Sequence, residues 1–343
     1  MILVLDPGME EKQQQELCLK LQKKGFYTRL VNQYGQLLLS IDGPGEEDCA
    51  RELEGSKGVL EVIPGRHSYY LASRRCHRKN SQVRVGRSGK TEVVFGGDAA
   101  VVIGGPCAVE TEEGALSLAH KIKDSGCHVF RGMIFKPRSS PYSFQGLGRA
   151  GLSILDKIKK ETGLLILTEV RDPLEAELVA DHADIIQVGT RNMSNFQLLR
   201  HLGQIPRPVL LKRGMGSSIE ELLCAAEYLL AHGNANVILC ERGIRTFEHF
   251  TRFCLDIGAV PAIKELSHLP VIVDPSHASG RSSLVEPLAL AALAAGADGL
   301  MLEVHAQPEA AFSDGAQSIN PDEFNRVLER ARKVAAAVGR QLI

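Results

Sequence analysis

The chain has 343 residues, 44% of them hydrophobic and 24% charged, which is enough for one large packed domain and a smaller one. Forty Lys and Arg nearly cancel 41 Asp and Glu, and Trp is absent, so neither an overall field nor an aromatic platform draws the chain to nucleic acid. MILVLDPG has no basic start and no later run is long and apolar enough to span a bilayer, which excludes a membrane role and reads as a cytoplasmic protein.

Residues 1–66 alternate short apolar runs with polar helical ones. MILVLD reads as a strand, EEKQQQELCLKLQKKG as an amphipathic helix, and FYTRLVN and QLLLSID as two strands around Tyr34-Gly35. EEDCARELEG then reads as a helix and GVLEVIPG as a strand, giving βαββαβ, a small ferredoxin-like unit assigned to residues 1–70. Residues 71–97 carry a polar, basic connector, RRCHRKNSQVRVGRSG, leading into a strand pair with TEVVFG.

From residue 98 to 343 the texture becomes regular. AAVVIGG, HVFRGMIF, LLILTEV, DIIQVG, PVLLK, NVILCE, LPVIVD and DGLMLEV are apolar strands separated by helical stretches, the spacing of an α/β fold of the (β/α)8 TIM barrel type. The sixth unit, RGIRTFEHFTRFCLDIGAV, has the poorest helical pattern. Eight Cys without a CxxC pair point to reduced thiols rather than a disulfide framework.

In such barrels the chemistry sits at the C-terminal ends of the strands. Polar or charged groups follow every run: Cys107 and Glu110; Arg131 and Lys136; Glu169 and Arg171; Gln187 and Arg191; Lys212-Arg213; Glu241-Arg242; Asp274 and His277; Glu303 and His305. Packing does not require this. Within RGMIFKPRSSPYSFQG, Arg131, Lys136 and Arg138 lie among hydroxyls, Pro and Gly, the make-up of a pocket for phosphate or carboxylate. Cys107, His277 and Glu303 fall on neighbouring strands, with Asp314 in the last loop. A thiolate, an imidazole and two carboxylates suit a divalent ion such as Mn, Fe, Co or Zn.

GPCAVE, RGMIFKPRSSPYSFQGLG, TEVRD, QVGTRNMSNFQLL, LLKRGMGSSIEE, LCERGIRTFE, VDPSHASGR and EVHAQPEAAFSDGAQS, in this order, closely resemble the 3-deoxy-D-arabino-heptulosonate-7-phosphate (DAHP) synthases of the short type Iβ branch. The resemblance covers essentially the whole barrel, and residues 1–70 resemble the ACT-like regulatory extension of some members. It implies metal-dependent condensation of phosphoenolpyruvate with erythrose 4-phosphate, the first step toward the aromatic amino acids. It implies metal ligands at Cys107, His277, Glu303 and Asp314, and contacts to phosphoenolpyruvate from Arg131, Lys136, Arg191, Lys212 and Arg242. Lys136, Pro137, Arg138 and Ser139 match the erythrose 4-phosphate segment. Ser139 replaces the usual Thr, Ala108 the usual Ser, and Ala306-Gln307 the usual Pro-Glu. Glu169 and His305 remain alternatives for the base that handles the attacking water. The resemblance further implies a homo-oligomer, a tetramer, inhibited by an aromatic amino acid.

Two other readings share the barrel. A 3-deoxy-octulosonate 8-phosphate synthase would use arabinose 5-phosphate, but its sugar loop typically reads K-A-N-R-S. A Schiff-base aldolase using Lys212 or Lys136 would leave the Cys, His, Glu and Asp set idle.

Overall fold

In QLLLSID the alternation of a strand sends Leu37, Leu39 and Ile41 into one small core and Leu38 into another. The computed structural model describes residues 1–65, 68–86, 91–136 and 140–343. Its first elements are β1 (Ile2–Leu5), α1 (Glu11–Lys23), β2 (Tyr27–Gln33), β3 (Gln36–Asp42), α2 (Glu46–Leu53) and β4 (Val59–Ile63). They form an antiparallel sheet ordered β2-β3-β1-β4. Leu3, Leu5, Leu37, Leu39 and Ile41 pack with Leu21 of α1 and Leu53 of α2, so both helices cover one face. β5 (Val83–Gly86) and β6 (Glu92–Phe95) follow as a hairpin.

The eight barrel strands are all parallel. They are β7 (Ala99–Gly105), β8 (Val129–Arg131), β9 (Leu165–Val170), β10 (Ile185–Val188), β11 (Val209–Lys212), β12 (Val237–Glu241), β13 (Val271–Val273) and β14 (Gly299–Glu303). Pairing of β14 with β7 closes the eight into a barrel. Between and after them lie α3 (Glu112–Asp124), α4 (Ala150–Thr162), α5 (Ala176–His182), α6 (Phe196–Leu202), α7 (Ile219–Ala231), α8 (Ala259–Leu266), α9 (Pro275–Ser279), α10 (Ser282–Ala294) and α11 (Pro321–Ala337). The strands are mostly apolar because the barrel interior buries one side of each and the helices the other, and their polar residues gather toward the C-terminal ends. Capping boxes start α7 at Ser218 and Glu221, and α11 at Asn320 and Glu323. The sixth unit is irregular from Arg242 to Gly258, tied by an isolated bridge between Ile244 and Cys254 before the short α8.

Inward residues Val101, Ile103, Leu167, Leu210 and Ile238 share one core with Val83, Val85, Val93 and Phe95 of the hairpin. The hairpin therefore plugs the N-terminal end of the barrel, and only the C-terminal end is left open for a site. The second face of the N-terminal sheet is not left bare either. Arg29 and Gln33 of β2 donate to Ala231 O (3.0 Å) and Leu230 O (3.4 Å) at the end of α7, and Leu38 joins the barrel core. Pairing of this unit with another copy would thus have to use an edge, β2 or β4. Among the described residues no helix is long and apolar enough to cross a membrane.

Candidate active site

The ends of β7, β8, β13 and β14 converge because the barrel is closed there. Gly105 ends β7 at φ 142°, and a Cβ on it would lie 2.2 Å from Arg131 O, so only glycine lets the two strand ends approach this closely. Two residues on is Cys107. After β13, Asp274 caps α9 by accepting from the His277 backbone N–H at 2.9 Å. That cap fixes the imidazole. Asp314 sits in the loop after β14 with φ 56°, a left-handed conformation that Asp tolerates better than most residues.

The ligand atoms of Cys107, His277, Glu303 and Asp314 all lie within 4.8 Å of one another. Burial lowers the pKa of His277 to about 4, so the imidazole is neutral. Its Nδ1 lies 2.7 Å from Asp274 Oδ2, an acceptor, which places the proton on Nδ1 and leaves Nε2 as a lone pair. That lone pair faces Glu303 Oε1 at 3.1 Å, and Oε1 is buried without a hydrogen bond, its charge offset from the other side by Arg131 Nη2 at 3.0 Å. Two acceptors face each other with no proton between them. A cation resolves this, and the sulfur, nitrogen and oxygen donors suit a borderline divalent ion. The residues fit a metal site. Charged neighbours support the ligands from behind: the Asp274 carboxylate holds His277 and also pairs with Lys212, while the Arg131 guanidinium lies 3.0 Å from Glu303. Burial, and after it Glu303, pushes the Cys107 thiol up, so the thiol keeps its proton and donates to Asp314 Oδ2 at 2.9 Å.

Next to the cluster opens a cavity of about 240 Å³ whose wall includes His277 and Asp314. Lys136, Arg191, Lys212, Arg242 and Arg252 line it against the carboxylates of Glu169 and Asp314. Arg242 is held with its guanidinium 4.1 Å over the ring of Phe253, and its Nε and one Nη are buried without a hydrogen-bond partner. Buried donors of this kind cost about 1–3 kcal/mol each when left unpaired, and an anion satisfies them. Gly189 makes room for Glu169, since a Cβ there would lie 2.0 Å from Glu169 Oε1. Burial raises the Glu169 pKa against the pull of Lys136 and Lys212, and Gln187 donates to its Oε2 at 2.9 Å.

A profile of the DAHP synthetase I family matches residues 78–339. The chain belongs to this family. It is 41% identical to the phospho-2-dehydro-3-deoxyheptonate aldolase of Thermotoga maritima over 99% of each chain. The crystal structure of a phospho-2-dehydro-3-deoxyheptonate aldolase (DAHP synthase) from Thermotoga maritima superposes with a TM-score of 0.79 at 40% identity, covering 100% of this chain and 99% of that one. A truncated form of that organism's 3-deoxy-D-arabino-heptulosonate 7-phosphate synthase covers 81% of this chain and 100% of its own, with 42% identity and a TM-score of 0.74. The 2-dehydro-3-deoxyphosphooctonate aldolase of Syntrophotalea carbinolica is more distant, 30% identical over 72% of this chain and 95% of its own.

With the chain placed among DAHP synthetases, the residues singled out by sequence fall into groups. Cys107, His277, Glu303 and Asp314 come together. Lys136, Arg191, Lys212 and Arg242 share the cavity wall. Arg131 is fully buried beneath, against Glu303. Pro137, Arg138 and Ser139 lie outside the described residues. Arg213 and Glu241 pair with each other at 2.8 Å, and Arg171 pairs with Glu175, so these strand-end charges hold the rim together. His305 faces Glu110 at 3.6 Å beside a different cavity. Sequence reasoning gave no role to Arg252 and Gln317. Arg252 reaches Asp314 Oδ1 at 3.2 Å and Gln317 Oε1 at 3.0 Å, and Gln317 in turn donates to Glu303. Arg252 belongs to the irregular sixth unit, where no periodicity marks which side chains point to the rim.

Proposed function

We infer that this protein is a DAHP synthase, condensing phosphoenolpyruvate with erythrose 4-phosphate and water to give 3-deoxy-D-arabino-heptulosonate 7-phosphate and phosphate. The observation that carries the reading is the junction of two features: a buried Cys, His, Glu and Asp cluster opening directly into a cation-lined cavity. Lys136, Arg191, Lys212 and Arg242 offset the charge of the phosphate and carboxylate of phosphoenolpyruvate, with Arg131 adding positive charge from below. Lys136, Pro137, Arg138 and Ser139 take the phosphorylated aldose. A divalent ion at Cys107, His277, Glu303 and Asp314 would supply Lewis acidity for the aldehyde oxygen. The chain's own groups hold the enol carbon against the aldehyde carbon, so that a C–C bond forms and positive character develops at the carbon bearing phosphate. Water adds there and phosphate leaves. Glu169, on the cavity wall with its carboxyl pKa raised by burial, is better placed than His305 to take the water's proton.

The N-terminal unit contains none of these groups. Its sheet packs on α7, and this supports a regulatory role in which an aromatic amino acid effector biases how the unit sits on the barrel. A homo-oligomer, a tetramer, and a cytoplasmic setting complete the proposal. The deciding assay offers erythrose 4-phosphate and arabinose 5-phosphate separately and follows phosphate release from phosphoenolpyruvate. A preference for the four-carbon aldose supports the reading; a preference for arabinose 5-phosphate makes the protein an octulosonate 8-phosphate synthase instead.

A further inference from the structure

Phe312 is 60% exposed, yet it is tied down from two sides. Its ring meets that of Phe144 edge to face, centroids 5.4 Å apart at 72°. Its backbone N–H donates to Glu110 Oε1 at 2.7 Å, while the other Glu110 oxygen lies 3.6 Å from His305 Nε2. Three loops meet at this one residue: Glu110 follows β7, Phe144 follows β8, and Phe312 follows β14. Two residues past Phe312 comes Asp314, held in its left-handed conformation.

The loop that Phe144 belongs to puts Ser140 and Ser143 on the cavity wall. Its described hydrogen bonds are internal. Gln145 Nε2 donates to Ser140 O, Pro141 O and Ser143 O, Tyr142 N to Ser140 Oγ, and Lys136 N to Gln145 O. Such bonds give the loop a shape but do not fix where that shape sits over the pocket. Among the described residues from Ser140 to Gln145, the ring contact of Phe144 with Phe312 is the tie that crosses to another loop. An edge-to-face pair is directional as well as apolar, so it sets both distance and angle.

We propose that Phe144 and Phe312 form a clasp that positions the Ser140–Gln145 loop for the phosphorylated aldose and registers it against the segment carrying Asp314. Both are positioning residues: neither lines the cavity, and they act through Ser140, Ser143 and Asp314. The clasp weighs more on aldose recognition than on phosphoenolpyruvate recognition, because Arg191, Lys212 and Arg242 stand on other loops and, of the wall cations assigned to phosphoenolpyruvate, Lys136 alone borders this one. This rests on the assignment of erythrose 4-phosphate as the aldose.

The test uses the full-length protein, loaded with Mn²⁺, as wild type, Phe144→Ala, Phe312→Ala, the double variant, Phe312→Tyr, and Phe247→Ala. Phe247 is a control of the same size, 92% exposed on the same rim. Each Ala variant of the clasp is expected to raise the KM for erythrose 4-phosphate about three- to ten-fold, the worth of one ring pair, with the KM for phosphoenolpyruvate held within about two-fold. The double variant should be no worse than either single one, Phe312→Tyr should behave as wild type, and Phe247→Ala should change nothing. Hydrogen exchange of the amides from 140 to 146 should speed up by a similar factor in both single variants. Equal rises in both KM values, additive singles, or unchanged loop exchange would overturn the clasp. A wild type that turns over no erythrose 4-phosphate defeats the functional assignment, and loop exchange in Phe312→Ala then decides the clasp alone.

Discussion

The barrel rim and the seam between the N-terminal unit and the barrel both bury polar side chains, but they treat them in opposite ways. At the seam the buried groups of Glu227, Ser267 and His268 are answered by described partners. Glu227 accepts the Leu71 and Ala72 N–H groups, one on each oxygen at 2.9 Å; His268 uses both ring nitrogens, on Ser81 Oγ at 2.7 Å and Leu71 O at 2.6 Å; Ser267 donates to Ala72 O at 2.5 Å. At the rim, Arg131, Arg242 and Glu303 keep buried atoms without a hydrogen bond. A polar group that is buried and saturated has found its partner in the fold. At the rim the unsaturated atoms also face the ligand cluster or the cavity, and this pairing of unsaturation with an open site is what separates the two regions here.

The comparison is broken most directly by removing a rim ligand. His277→Ala is expected to lower turnover by about 10³-fold or more, because charge stabilisation worth several kcal/mol depends on the cluster. The melting temperature should change little, since the ring is not part of the barrel core. Steady-state phosphate release beside a thermal melt measures both. Next come the cavity cations. Lys212→Ala and Arg242→Ala should each cost about 2–4 kcal/mol in kcat/KM for phosphoenolpyruvate, while Arg138→Ala should fall mainly on erythrose 4-phosphate.

The seam predicts the reverse pattern. Glu227→Ala leaves two backbone N–H groups unanswered and should lower unfolding stability by about 2 kcal/mol with kcat/KM unchanged, read by denaturant titration beside the activity assay. A smaller effect comes from pH. Burial lowers the His268 pKa to about 4, below its unfolded value of about 6.5. The folded form therefore binds fewer protons, and stability is fully present above about pH 6.5 and is lost as pH falls toward 4. At pH 5.5 the loss should be about 1 kcal/mol relative to pH 8, and a His268→Gln variant should flatten that part of the curve.

Much of this was legible in the sequence, and the exceptions have physical causes. Each of the eight parallel runs became a strand because a barrel strand is apolar on both faces and bounded by Gly, Pro or charge. HVFRGMIF was read too long: pairing stops at Arg131, and Met133, Ile134 and Phe135 are buried as loop, so apolar character outlasts the strand. At the rim, a charge after each strand was visible but its partner was not. Nothing in the order of residues shows that Arg213 answers Glu241 whereas Arg242 turns to the cavity over Phe253. Arg252 and Gln317 were missed because they reach the cluster from irregular segments, and contacts across the barrel leave no local pattern.

The central claim is that the unsaturated rim binds a divalent ion and phosphoenolpyruvate for condensation with erythrose 4-phosphate. The direct measurement is phosphate release from phosphoenolpyruvate on adding erythrose 4-phosphate, first with a chelator and then with Mn²⁺ returned in steps, alongside equilibrium Mn²⁺ binding to wild type and Cys107→Ala. The account predicts no release in chelator, recovery that follows occupancy of one tight site, and loss of that site in Cys107→Ala. Undiminished release in chelator, or an equally tight site in Cys107→Ala, would contradict it.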